Sequence, residues 1–243
     1  MTVQRRLAIL GAAGGLGRVL TDRALAEGWQ ILALDLATSL AAHPLPAGVE
    51  AIALDLRVPE SIEAAFESAS QIDAFVNLAG FMSPIRPLAD VPLSDFDEVI
   101  EGNLRGAFLA CTAALTALRK PGGAIVNVAS GLAHFTRPGF GPYAAAKAGM
   151  ISLTKTLALE AAPDIRVNAV APSAVNTAFL SGGTGRQPTE RAPVDLNAMA
   201  SAAPLKRMAT PEDVADPILF LIGPGASFMT GQILWVNGGA YMP

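Results

Sequence analysis

Apolar residues along the chain come in short continuous runs, separated by stretches in which they recur every three or four positions. The runs at 6–10 (RLAIL), 30–36 (QILALDL), 49–56 (VEAIALDL), 72–80 (IDAFVNLAG), 123–130 (GAIVNVAS), 165–172 (IRVNAVAP) and 232–239 (QILWVNGG) predict strands rich in Val, Ile and Leu. Continuous apolar runs of this kind suit strands covered on both faces, as in parallel sheets. Between them the pattern predicts helices. One runs from a Gly-rich turn to about Glu27, and another opens near 58 with Pro59 in its first turn. Others cover 93–120 with Ser94 as cap, 143–162 and 210–222.

Strands alternating with helices predict an α/β fold. The reading is one doubly wound parallel sheet of about seven strands with helices on both faces, a Rossmann-type single domain over 1–243. The stretch 178–204 (SGGTG and scattered Pro) lacks a clear period and reads as a lid over the substrate.

Composition narrows the classes. Hydrophobic residues make up 51 % of the chain and charged ones 16 %, enough for a large core and for apolar contacts between subunits. A formal net charge of −4 without a basic block argues against nucleic acid as partner. The single cysteine, Cys111, excludes an internal disulfide and suits a reducing, cytoplasmic compartment. It lies in the apolar helical run GAFLACTAALTAL and reads as a core thiol. Two histidines, His43 and His134, form no metal cluster. The uncharged stretch 217–243 is broken by Gly223-Pro224-Gly225 before it reaches membrane-spanning length. The start, MTVQRRLAIL, has the outline of an export signal, but Arg18, Asp22 and Arg23 follow too soon on a helical pattern.

In such sheets ligands bind beyond the carboxyl ends of the strands. Gly11, Gly14, Gly15 and Gly17 lie between the first strand and the first helix, where glycines let the backbone approach a pyrophosphate. Gly-rich turns also occur for packing alone. Asp35 ends the second strand, placed to accept hydrogen bonds from an adenosine ribose and to repel a 2′-phosphate. No Arg or Lys stands in the turn or just after Asp35, so the expected cofactor is NAD. Tyr143 and Lys147, four apart on a helix, share a face. A lysine ammonium beside a phenol favours the phenolate and makes a workable acid/base, although that spacing alone decides nothing. Ser130 ends the fifth strand, where its hydroxyl can hold a carbonyl oxygen, and Asn103 is an unusual residue for a helix interior.

With these residues in order, from GAAGGLG through NLAG, Asn103, Ser130 and YAAAK to VNGG, the chain resembles the short-chain dehydrogenase/reductase family, in its main subgroup of about 250 residues. The resemblance implies Tyr143 as general acid/base and Lys147 as the group that lowers its pKa and binds the nicotinamide ribose. Ser130 would orient the substrate oxygen, and Asn103 would hold a water in a proton relay. It further implies Asp55 and Leu56 near adenine, and Asn77, Ala79 and Gly80 along the cofactor. Leu16, Leu36, Pro172, Ser173, Val175 and Thr177 complete that surface. Two positions depart from the family: Leu10 replaces the usual Thr before the first Gly, and Ser173 replaces a Gly.

Substrate residues are expected from the loops after strands four to six: Phe81, Met82, His134, Phe135, Phe140, Phe179 and Leu180 beside Ser130. The function so implied is NAD-dependent interconversion of a secondary alcohol and a ketone by a homo-oligomer, dimer or tetramer. Alternatives are an NADPH-dependent ketoreductase such as a 3-oxoacyl-carrier-protein reductase, and a non-enzymatic dinucleotide sensor or scaffold.

Overall fold

Leu7 and Ile9 turn to one face of a sheet, Ala8 and Leu10 to the other, and all four are sealed from solvent. Every position of the strand, β1 (Arg6–Leu10), is buried, and after Arg6, which pairs with Glu50, all of them are apolar. The computed structural model describes residues 4–69, 71–181, 183 and 196–242. Beside β1 run β2 (Gln30–Asp35), β3 (Glu50–Ala53), β4 (Ala74–Asn77), β5 (Gly123–Val128), β6 (Ile165–Pro172) and β7 (Ile233–Val236). They form one parallel sheet in the order β3-β2-β1-β4-β5-β6-β7.

One face carries α1 (Gly15–Ala26) and α8 (Pro211–Ile222), which bring Leu20, Ala24, Val214 and Ile218 onto Ile9, Val76 and Val126. The other carries α3 (Pro59–Ser68), α5 (Gly106–Ala117) and α6 (Gly141–Ala161), with Phe66, Ala114 and Leu157 against Leu34, Phe75 and Ile125. Among the described residues no helix is long and apolar enough to cross a membrane. Cys111 is fully buried on α5, and burial pushes its thiol up to about 12. It donates to Asn127 Oδ1 at 3.3 Å, and Asn127 donates to Thr154 Oγ1 at 3.0 Å. This polar tie joins α5, β5 and α6 through the core, and the thiol is no nucleophile.

The sheet departs from the expected outline at its edge and its strand ends. β3 is short and mostly exposed, because it pairs with β2 alone and borders solvent. β4 stops at Asn77, and Ile72 bridges to Leu118 instead. Two short helices, α2 (Ala37–Ala42) and α7 (Leu196–Ala202), fall where no period was legible. Of the stretch read as a lid, Ala178–Ser181 is a 3₁₀ turn and α7 is helical. Residues 182 and 184–195 lie outside the described residues.

The long helix expected over 93–120 is instead three pieces. α4 (Leu93–Ile100) and α5 are joined by a π-helical turn, Glu101–Arg105. Ser94 is not the cap; Pro92 holds that position, with no side-chain bond. By contrast α8 opens on a full capping box between Thr210 and Asp213. Arg207 also pairs with Asp213, and this guanidinium, followed by the Thr210 N–H, holds the carboxyl well below the usual range.

Candidate active site

Six strand ends on one edge of the sheet, those of β1 to β6, open into a single cavity. At its β1 end Gly11 has φ +90, a conformation glycine adopts freely, and donates to Leu34 O at 2.7 Å. Gly17 is required for contact: a Cβ there would lie 2.1 Å from Gly11 O, so the first turn of α1 packs directly on the loop. Gly14, Gly15, Leu16 and Gly17 line the cavity, and α1 begins with no side-chain cap and no acidic residue in its first turn. Its N-terminal N–H groups are therefore available to an anion.

Asp35 lies beside this loop. Its carboxylate accepts from Ala13 N at 2.9 Å and Leu36 N at 2.8 Å. Burial raises its pKa, and the bonds from Ala13, Leu36 and Ser39 work against that rise. Past the end of β3, Asp55 and Leu56 also line the cavity. Arg57, which had no expected role, lines it too; it donates to both Asp55 oxygens, at 3.1 and 2.8 Å. Leu36, Pro172, Ser173, Val175 and Thr177 complete this wall, with Ser173 N donating to Val236 O at 3.0 Å.

Asn77 corrects the expectation that it faces the cofactor. It is fully buried and outside the cavity lining, with Leu78, Ala79 and Gly80 forming the surface instead. Its Oδ1 accepts from Ala79 N at 3.2 Å, so it shapes the turn from below.

Near the end of β5, Ser130, Tyr143 and Lys147 meet. All three are buried yet line the cavity. Lys147 Nζ donates to Val128 O at 2.8 Å and lies 5.6 Å from the centre of the Tyr143 ring. Burial pushes the Lys147 ammonium down to about 7 and the Tyr143 phenol above its ordinary value, with a hydrogen bond from Ser130 opposing the latter. The phenol's surroundings thus act against the lowered pKa expected from its lysine neighbour, because desolvation outweighs it.

Asn103 does not line the cavity, and both of its N–H donors are committed, to Phe81 O at 3.0 Å and Val99 O at 2.9 Å. Its Oδ1 accepts from Phe81 N at 3.1 Å. Val99 O lies four residues back, so this bond ties the Asn103 side chain to the helix just before the π turn.

On the substrate side, Phe81, Met82, Phe135, Phe140, Phe179 and Leu180 line the cavity as expected from the sequence. The Tyr143 and Phe179 rings lie 5.8 Å apart. His134 does not join them. Ser130 Oγ accepts from Leu132 N at 3.2 Å, and the 3₁₀ turn Gly131–Ala133 carries His134 toward β7. There its ring lies 5.7 Å from Trp235, in a separate depression with Ile151 and Lys155. Sequence reasoning missed Leu132, Arg137, Met199, Arg207 and Tyr241. Tyr241 stacks on Phe135 at 5.8 Å, after a reversal at Gly238 and Gly239, both at positive φ. That Gly-Gly pair was the legible signal for a chain turning back.

The residues present fit a nicotinamide dinucleotide. Gly17 lets α1 pack on the Gly11–Ala12 backbone so that its uncapped N-terminus faces the cavity, Asp35 lies beside that turn, and Tyr143 and Lys147 line the same cavity. A family model described as enoyl-(acyl carrier protein) reductase matches residues 11–241. An uncharacterized short-chain type dehydrogenase/reductase of Sinorhizobium fredii is 38 % identical over 97 % of this chain, which spans 43 % of that protein's length. The 3-oxoacyl-[acyl-carrier-protein] reductase of Thermotoga maritima is 36 % identical over 95 % of both chains. Among solved structures, a 3-ketoacyl-(acyl-carrier-protein) reductase from Brucella melitensis complexed with NADH superposes with a TM-score of 0.87 at 28 % identity, covering 98 % of each chain.

Proposed function

Since the chain belongs to the short-chain dehydrogenase/reductase family, we propose that it is an NAD-dependent oxidoreductase interconverting a secondary alcohol and a ketone. The observation that carries this reading is a single cavity with the Gly11–Gly17 turn and Asp35 at one end and Ser130, Tyr143 and Lys147 at the other. A bound nicotinamide supplies or accepts the hydride. Tyr143 gives its proton to the carbonyl oxygen in reduction and takes it back in oxidation. Ser130 holds that oxygen beside the phenol. Lys147 steadies the ribose and the developing phenolate. Asn103 fixes Phe81 and the start of the π turn behind the site.

Asp35 supports NAD over NADP. Its carboxylate is aligned by two backbone N–H groups, and a 2′-phosphate beside it would meet like charge. The names of the T. maritima and B. melitensis relatives favour a second reading, a 3-oxoacyl-carrier-protein reductase, which in its NADPH-dependent form needs a cation at that phosphate. Arg57 is the nearest candidate along the lining, and Asp55 holds it at both oxygens. Fluorescence titration separates the two readings. NADH is expected to bind at least tenfold more tightly than NADPH, with Asp35→Ala narrowing the gap. Equal affinities in the wild type would favour the second reading.

A further inference from the structure

Each charged group lining the cavity has a partner, with one exception among the described residues. Asp35 is bonded by backbone N–H groups, Asp55 by Arg57, Arg207 by Asp213, and Lys147 by Val128 O. Arg137 lines the cavity from an exposed position, without a hydrogen bond or ion pair to any described residue, and Asp35 and Asp55 are the only carboxylates in that lining. Arg137 belongs to the loop between Ser130 and Tyr143, so it stands on the substrate side. β5 is two strand spacings from β1, about 10 Å at the loop bases, which sets it apart from the pyrophosphate cradle.

The loop is held in place. Phe140 N donates to Arg137 O at 3.4 Å, and Gly139 O accepts from Arg86 N at 3.4 Å. Ile85 packs so closely that a Cβ on Gly139 would lie 2.4 Å from its Cγ2. The same cavity is lined by the apolar side chains Leu132, Phe135, Phe140, Phe179 and Met199 and by the Tyr241 ring.

Resting on the oxidoreductase reading above, we propose that the substrate has an apolar body and a single carboxylate, docked by Arg137 while Ser130 and Tyr143 hold the reacting oxygen. A planar guanidinium matches one carboxylate through two parallel hydrogen bonds. The aromatic and aliphatic wall covers the carbon chain between the two polar ends. One unpaired arginine suits a group of one negative charge.

The test uses 4-oxopentanoate, 5-oxohexanoate and 6-oxoheptanoate, each against its methyl ester, with NADH-loaded enzyme. Two readouts are taken: kcat/KM, and protection against thermal unfolding. At one chain length the acid is expected to exceed its ester by about 10–100-fold in kcat/KM, less so as salt rises. Arg137→Met should cut the acid-to-ester ratio by a similar factor, and Arg137→Glu should invert it. Parity between acid and ester at every length would overturn the proposal, as would a preference that survives Arg137→Met. If no compound is turned over, the oxidoreductase reading is in difficulty by itself. Thermal protection by the acids, present in the wild type and lost in Arg137→Met, then decides the docking site.

Discussion

Gly80 and Asn103 occupy adjoining space with no room for one more carbon: a Cβ on Gly80 would sit 2.6 Å from Asn103 Oδ1 and 3.2 Å from Lys147 Nζ. The smallest substitution there therefore pushes on the amide that fixes Phe81 and on the buried lysine. Gly80→Ala should cost about 1–3 kcal/mol of stability, the usual effect of overpacking. Turnover should fall at least tenfold. Denaturant unfolding and steady-state kinetics read the two effects, and wild-type values in both would show that the contact yields freely.

Tyr143→Phe removes one oxygen and keeps the ring against Phe179. Turnover should fall by about 10²–10⁴-fold, the contribution of a positioned acid/base. NADH titration should change little, since the Gly11–Gly17 turn, Asp35 and Lys147 remain. In the wild type, alcohol oxidation should accelerate as pH rises and the phenol ionises. Wild-type turnover by the variant on any substrate would remove Tyr143 from the chemistry.

Lys147 makes stability depend on pH. Its folded pKa is pushed down from 10.5 to about 7 by burial, so between those values the unfolded chain binds the extra proton. Stability from this group therefore rises with pH across that window, and below about 7 the full cost of burying a charge is felt. Lys147→Met should melt higher than the wild type near pH 6, relative to its position at pH 9. Thermal melts from pH 6 to 9.5 measure this. A constant difference across the range would show that the lysine is not desolvated.

Self-association is proposed on apolar side chains left in solvent. Phe108 on α5 and Leu159 on α6 are exposed, as are Phe220 on α8 and Phe228 beyond it, the last completely. Covering them by a symmetric dimer or tetramer would return that area to an apolar setting. Light scattering at micromolar concentration should give a multiple of the 25.0 kDa chain mass. A monomer alone would refute it.

The central strands were legible because burial on both faces leaves them mostly apolar, with single polar positions such as Arg6, Asn127 and Asn168; β1 and β6 begin and end where their apolar runs do. β3 was less so, since an edge strand faces solvent and its polar residues carry no contrast with the loops around it. The break in the helix expected over 93–120 depends on Asn103 bonding Phe81, a partner 22 positions away, which no local pattern contains. Asn77 and His134 show a similar limit. Their places at strand ends were clear, but one side chain turned inward beneath Ala79, and the other followed the Ser130 turn toward Trp235. Tyr143, Lys147, Ser130 and Asp35 were legible because they end strands or share a helix face, positions that a parallel sheet brings to one edge.

The parallel edge also makes this protein modular. Asp35 at the end of β2 and Ser130 beyond β5 are separated by three strand spacings, about 14 Å. Groups that far apart with no shared partner influence one another little. On the proposed reading, drift at Asp35 would retune which dinucleotide is chosen while leaving proton handling at Tyr143 intact, and changes around Arg137 would retune the substrate while sparing the dinucleotide. A sheet of this kind lets each end of the cavity evolve on its own schedule.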